Sequence, residues 1–468
     1  MTQDPNRMTL IIGIMALLSL VPATLALRRA RTFRDWNLTS TMVFLIGVLA
    51  NVPTTAYVLH TGSRVRIDSL REVEIGFPQW VNQIGTVTNG VLLAGCVLFL
   101  LYRLLIARAR INALPLLAAA IAVLFALSDG LHGQQLLVPR QLVLLAALLA
   151  AAVARPGRSA FLGAAGVVLL FSVLGGIEAL VAPTTVLREC RPDNPCGMLG
   201  VHYAGVFTNE NIFALLLVLG LPFLWLGLRG RVRVVLVCYV AFLAVATGSM
   251  LADVTAVATV SLLMLLRPKL PDQAAMDSAR SSPGRVLLTV PVLITAGVIG
   301  LATPFHHPST ERLGDRATIW DMARDELSGS PLVGFGGKAW SAKYQTGEIP
   351  AAVSPSLHNQ WIDVLYGGGI IGLFLFLLLL THMLVRGGVR GFPAAASVLL
   401  PVLLASVLER PWSFGISNSL TFALVAAVLV PTAVPRAASP AAGGSGSSPA
   451  AAPARAPRRR PVPTAPRL

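Results

Sequence analysis

Long apolar runs separated by short polar or basic turns dominate this chain. They fall at about 8–27, 40–59, 86–106, 113–128, 138–154, 160–181, 205–228, 233–248, 252–266, 286–303, 360–385, 393–408 and 414–434. Each is roughly 15–25 residues long, which suits a helix crossing a hydrocarbon core. A closed β-barrel would need alternating segments of about ten residues, whereas these runs are continuous and rich in Leu, Ala and Val. An open sheet would leave backbone groups unsatisfied in lipid, so helices are the remaining solution. The pattern predicts an all-α, polytopic transmembrane bundle of 12 to 13 spans occupying residues 1–434. The first run lacks a small-residue cleavage site and leads into Arg28, Arg29, Arg31 and Arg34, so it reads as an uncleaved anchor.

Composition agrees with this class, since 55% of the 468 residues are hydrophobic and only 12% are charged. The net charge of +16 changes the picture through its distribution. If the Arg28–Arg34 turn is cytoplasmic, the same side receives most of the 37 Lys and Arg residues but only Asp35, Asp272 and Asp277 of the 21 acids. The excess of positive charge is therefore a topology signal, with the N-terminus outside and the C-terminus inside a bacterial cytoplasmic membrane, and implies no nucleic-acid partner. The tail 435–468, rich in Ala, Pro, Ser and Gly, reads as disordered, with Arg458–Arg460 either against anionic membrane lipids or simply solvated.

Three external loops follow from this topology, at 60–85, 182–204 and 304–359. The second holds Cys190 and Cys196 across a Pro-bounded turn, where a disulfide fits an oxidising exterior and two free thiols are the alternative. Gly-rich phosphate loops, zinc-type Cys/His spacings and duplicated halves are absent from the sequence, so the reading includes no cofactor and no metal.

Polar residues gather at the external helix ends: Glu178, Asn209, Glu210, Asn211, Asp253, His358, Asn359, Asp363, Glu409 and Arg410. Burying such groups is costly unless they pair or line a wet cavity, so together they predict an outward-facing polar pocket. Taken singly, each could equally cap or anchor a helix. Asn209 and Asn211 could bond a sugar or re-satisfy a broken helical turn, and Asp253 could be an N-cap.

In the third loop, Asp315 can start a helix running to about 328, with Ile319, Met322, Ala323 and Leu327 as its apolar stripe and Gly329 and Pro331 as its stop. Such a helix would lie on the membrane surface and cover the pocket. Gly334, Gly336 and Gly337 then form a close-packing turn before Lys338, readable as a phosphate site or as a plain loop.

Several of these pieces occur in the order of a known family. Gly205–Asn211, Arg316-x3-Trp320, Ser330–Gly336, His358-Asn359 and Gly369-x2-Gly372-Leu373 together resemble the O-antigen ligase and polymerase superfamily of bacterial envelope glycosyltransferases. The resemblance covers roughly 205–385. It implies transfer of a glycan from a polyprenyl-diphosphate carrier to a hydroxyl of a glycan or glycolipid acceptor, on the outer membrane face, with inversion and without a metal. His358 would be the general base and Arg316 would neutralise the diphosphate; Asn209, Asn211, Arg312, Lys338, Asn359 and Asp363 are the candidates for substrate binding. An imidazole with a reference pKa of about 6.5 suits a base near neutrality, and a guanidinium can bind phosphate oxygens in bidentate fashion.

Two departures stand out. Thr247-Gly248-Ser249-Met250 replaces the Ser-Arg usual in the family, leaving Arg312, Lys338 or Arg140 to supply the missing cation, and Gly367 replaces an acid. Two rivals remain open. One is a transferase of polyprenyl-monophosphate sugars using Asp68, Glu72 and Glu74 of the first loop; the other is a flippase for lipid-linked sugar.

Overall fold

Twelve of the thirteen apolar runs fold as helices: α1 (Pro5–Thr32), α2 (Leu38–Thr61), α3 (Gln79–Leu101, extended by a π turn to Ile106), α4 (Ala113–Leu131), α5 (Pro139–Val153), α6 (Arg158–Val181), α8 (Glu210–Gly227), α9 (Val232–Ala246), α10 (Met250–Leu266), α11 (Pro283–Ala302), α14 (Gln360–Arg386) and α15 (Gly388–Ala405). A one-turn helix α7 (Pro183–Val186) leads into a two-residue hairpin of β1 (Leu187–Arg188) and β2 (His202–Tyr203). The computed structural model describes residues 5–61, 77–188, 197, 199–270, 283–306, 315–349 and 356–430. Cys190, Cys196, Arg312, Asp68, Glu72, Glu74 and the tail 435–468 lie outside the described residues.

Among the described residues, nine helices are long and apolar enough to cross a membrane, and α5, α9 and α10 are shorter apolar helices. α8 is buried on every side, as its uniformly apolar sequence requires, and packs against α6, α9 and α10. Leu18 and Val21 of α1, Leu98 of α3 and Leu287 and Leu288 of α11 point outward, the disposition of lipid-facing helices. At one end of the bundle, Arg229 grips Asp35 through two bonds of 2.6 and 2.9 Å, Arg103 donates to the Val153 carbonyl and Arg386 to Asn112. The opposite end carries the hairpin and the third loop.

The thirteenth run departs from expectation. Instead of a spanning helix at 414–434, the structure has an irregular stretch through 420 and the seven-residue α16 (Thr421–Ala427), with 431–434 outside the described residues. Ser and Asn side chains compete for backbone groups in this stretch. Asn418 accepts from Leu420 N–H and its own N–H donates to Thr421 Oγ1, while Ser417 N–H donates to the Arg140 carbonyl and Asn51 Nδ2 to that of Ser419. The stretch still joins both ends of the bundle, because Leu429 accepts a bond from Gly157 N–H at the basic end.

The third loop builds a core of its own. α12 (Asp315–Leu327) and α13 (Ala339–Thr346) bury Ile319, Trp320, Ala323, Trp340 and Tyr344 against Ile362, Leu365 and Tyr366 of α14. The helix starting at Asp315 is as predicted, but Trp320 joins its buried face and Met322 is only half-buried.

α14 is broken at Gly369, whose φ of 61° lies in the left-handed region. A break frees helical amides and carbonyls, and the loop supplies partners for them. Ile370 and Ile371 donate to the carbonyls of Pro331 and Leu332, while Phe335 and Gly336 donate to those of Tyr366 and Gly367. A Cβ on Gly369 would meet the Leu332 carbonyl at 2.2 Å. The turn at Gly334, Gly336 and Gly337 is thus a splice for the helix; the reading of its amides as a phosphate site is overturned, since they are already engaged within the protein.

Candidate functional site

The start of α14 is stitched to the segment that follows α15. Asn359 is the N-cap, its Oδ1 accepting from Trp361 N–H at 2.8 Å and Ile362 N–H at 3.0 Å. Its Nδ2 donates to the carbonyls of Gly300 and Val407. Gln360 N–H donates to the Ser406 carbonyl, Trp361 Nε1 to Ser406 Oγ and Trp412 N–H to Gln360 Oε1. Asn359 has no exposed surface. It was expected to bind substrate; fully buried and hydrogen-bonded through both amide atoms, it is a positioning residue instead.

This stitching brings residues 358 and 409 together. The backbone of His358 takes a φ of 47°, an uncommon conformation for a side-chain-bearing residue, and its Nδ1 lies 3.1 Å from Glu409 Oε2. The other oxygen of the same carboxylate accepts from Arg316 Nη2 at 3.0 Å, from the first turn of α12. A carboxylate can only accept, so in the neutral form of the ring Nδ1 carries the hydrogen. Burial of the Glu409 side chain, 12% exposed, works to raise its pKa. The hydrogen bond and charge of His358, together with Arg316, outweigh that and hold the carboxyl below the usual range.

Next in the chain, Arg410 Nη1 bonds Asp363 Oδ1 at 2.7 Å. Asp363, expected to touch substrate, is 11% exposed on its side chain and holds a half-exposed guanidinium. Of the predicted residues, Asn211 also reaches this region: it lines a small cleft with Ser249 and Glu409. Asn209 caps α8, its Oδ1 accepting from Asn211 N–H at 2.7 Å, while neighbouring Glu210 pairs with Arg188 at 2.9 Å. Met250, in the Thr247–Met250 stretch that departs from the family pattern, is 81% exposed at the start of α10.

Lys338 is drawn elsewhere. Its ammonium bonds the Gln135 carbonyl and lies 3.8 Å from the buried carboxylate of Asp129, which also accepts from Lys338 N–H and Gln141 Nε2. A cation committed in this way holds the loop on α4, and the expected substrate contact is not supported. Arg140 stands at the wall of a different cleft. The two side chains of this cluster that sequence reasoning left without individual roles are Glu409 and Arg410. Their signal was an adjacent acid and base directly after an apolar run, but a pairing across 51 residues to His358 is set by packing alone.

A family model described as O-Antigen ligase matches residues 204–377, a stretch that contains Asn209, Asn211, Arg316 and His358 and stops short of Glu409. No curated protein and no solved structure matches the chain.

Proposed function

We propose that this chain, a multi-pass membrane protein of the O-antigen ligase/polymerase superfamily, transfers a glycan from a polyprenyl-diphosphate carrier to an acceptor hydroxyl on the outer face of the cytoplasmic membrane. The observation that carries the reading is the single carboxylate of Glu409, which holds the imidazole of His358 and the guanidinium of Arg316 at 3.1 and 3.0 Å. Base and cation are thereby fixed relative to one another before any substrate arrives, and such pre-organisation is what general-base catalysis requires.

In this mechanism His358 Nε2 takes the acceptor proton as the hydroxyl oxygen bonds the anomeric carbon. The bond from that carbon to the diphosphate oxygen breaks, and the lipid diphosphate departs with the electron pair. Arg316 stabilises the departing charge through N–H groups other than the one on Glu409. Glu409 keeps the Nδ1 hydrogen in place and balances the imidazolium as it forms. Attack opposite the leaving group inverts the anomeric centre. Arg410, next to Glu409 in the chain, is the nearest candidate in sequence for the cation that Met250 does not supply. Asn211, in the same cleft as Glu409, is placed to bond a sugar hydroxyl.

The test is conversion of a polyprenyl-diphosphate-linked glycan by purified protein with excess EDTA. Wild-type turnover is expected to survive the chelator, and His358→Ala is expected to lower it about 10²–10⁴-fold at an unchanged membrane level. Full activity of His358→Ala would sink the mechanism. A wild-type requirement for a divalent metal would shift the reading to the acidic residues of the first loop, and carrier movement across the bilayer without transfer would shift it to a flippase.

A further inference from the structure

The basic end of the bundle holds a cluster that the proposed reaction does not use. Arg103 lies in the π turn that extends α3, and its Nε donates to the Val153 carbonyl at the end of α5 at 3.0 Å. The neighbouring Ala152 carbonyl accepts from Asn112 N–H at 2.7 Å, so the N-cap of α4 meets the end of α5. Arg386, in the last turn of α14, donates from Nη1 to Asn112 Oδ1 at 3.2 Å and lies 3.3 Å from His382 Nε2. Arg155, two residues beyond Val153, adds a third guanidinium whose charge bears on Arg103.

Three cations converge here without an acid to balance them. Among the described residues Asp35 is the one carboxylate at this end, and Arg229 bonds both of its oxygens. The acceptors that Arg103 and Arg386 meet are a carbonyl, an amide oxygen and a histidine nitrogen, none of which carries formal charge. Asn112 adds an independent sign of a missing ligand. It is 7% exposed, and its Nδ2 has no partner among the described residues, although its Oδ1 receives both Arg386 and Leu114 N–H. A buried donor left over beside guanidinium groups is costly, and an anion accepting from it and from the remaining N–H groups of Arg103 and Arg386 would offset the cost. The 19-residue α4 begins at the same place and turns the positive end of its dipole towards it.

The surroundings identify the source of that anion. Leu105 and Ile106 beside Arg103, Ile111 beside Asn112 and Val385 beside Arg386 are all exposed. Apolar side chains standing outward next to a basic cluster at the end of spanning helices place it where hydrocarbon gives way to lipid head groups. We propose that this cluster binds the phosphate of an anionic membrane phospholipid, held by Arg103, Arg386 and Asn112 with Arg155 at the rim. The head group then ties together the ends of α3, α4, α5 and α14. The inference does not rest on the function proposed above.

The experiment titrates full-length, delipidated protein in a neutral detergent with phosphatidylglycerol, counting bound lipid by native mass spectrometry and following the thermal midpoint. Phosphatidylglycerol is expected to bind about tenfold more tightly than phosphatidylcholine, as one added charge-assisted contact predicts, and to raise the midpoint; sodium phosphate should not raise it. Asn112→Asp is the deciding variant, because aspartate caps a helix as well as asparagine does but brings a carboxylate to Arg386. Its midpoint without lipid should equal or exceed that of the wild type, its affinity for phosphatidylglycerol should fall about tenfold or more, and its midpoint should no longer respond to the lipid. Arg386→Gln should weaken binding about tenfold and Arg386→Lys less, while Arg231→Gln, the same loss of charge elsewhere at this end, should leave it unchanged. His358→Ala should bind like the wild type, so a failure of glycan transfer and a failure of lipid binding are read separately. The proposal would be overturned by Asn112→Asp responding like the wild type or melting well below it without lipid, by Arg231→Gln weakening binding as much as Arg386→Gln, or by an equal midpoint gain from phosphatidylcholine or sodium phosphate.

Discussion

Glu409 concentrates the residue-scale contacts, because one carboxylate determines where the imidazole of His358 and the guanidinium of Arg316 stand. Glu409→Gln keeps the shape but loses the charge, and an amide can present its NH₂ to the imidazole and misplace the ring hydrogen. Transfer is expected to fall about 10²-fold or more in that variant, with little change in protein level, measured as kcat with the lipid-linked donor. Arg316→Lys should also lower transfer, about tenfold, because an ammonium retains charge but loses the planar fork that bonds Glu409 and phosphate together. The depressed pKa of Glu409 adds a stability prediction. Its folded pKa lies below the unfolded value, so protons bind more readily to the unfolded chain. Its contribution is present above the ordinary glutamate range near 4.3 and is lost as pH falls through the depressed folded value. The thermal midpoint of the wild type should therefore exceed that of Glu409→Gln at pH 7, and the gap should close on acidification below about pH 4. A gap that widens with acid would contradict the assignment.

At the scale of elements, the broken helix α14 and the loop that repairs it act as one unit. Four backbone bonds cross between 331–336 and 366–371, and Ser128 Oγ adds a bond of 2.6 Å to the Gly334 carbonyl. Gly369→Ala forces a Cβ into the Leu332 carbonyl at a positive φ. It is expected to lower stability by about 1–3 kcal/mol and transfer along with it, read by thermal unfolding in detergent. An unchanged midpoint would mean that the splice is not structural. The run 315–327 was legible as a helix because its acidic start, apolar stripe and Gly/Pro stop are local signals. The break at Gly369 was not legible, since three consecutive glycines within an apolar run do not say which will leave the helix. The irregular stretch before α16 failed for a related reason: hydropathy registers that a segment is apolar, while Ser417 and Asn418 decide through hydrogen bonds that it is not helical.

For the whole molecule, the proposed sidedness yields a direct test. Gln345→Cys, exposed on α13, should react with an impermeant thiol reagent on intact cells above the wild-type background, whereas Pro449→Cys should not. Labelling confined to position 449 would invert the topology and place His358 on the cytoplasmic side. By itself, the sequence determined the membrane class and twelve of the helical runs, because burial in lipid is a property of composition and run length that needs no partner. It also singled out His358 and Arg316, whose local motifs lie within the stretch matching the O-antigen ligase family. Tertiary structure alone decided that Glu409 joins them, that Lys338 belongs to Asp129 and that the glycine turn mends a helix. Those outcomes depend on which helix ends meet across tens to hundreds of residues, and the polar pattern of one chain specifies which groups need partners without specifying which partners packing will bring within about 3 Å.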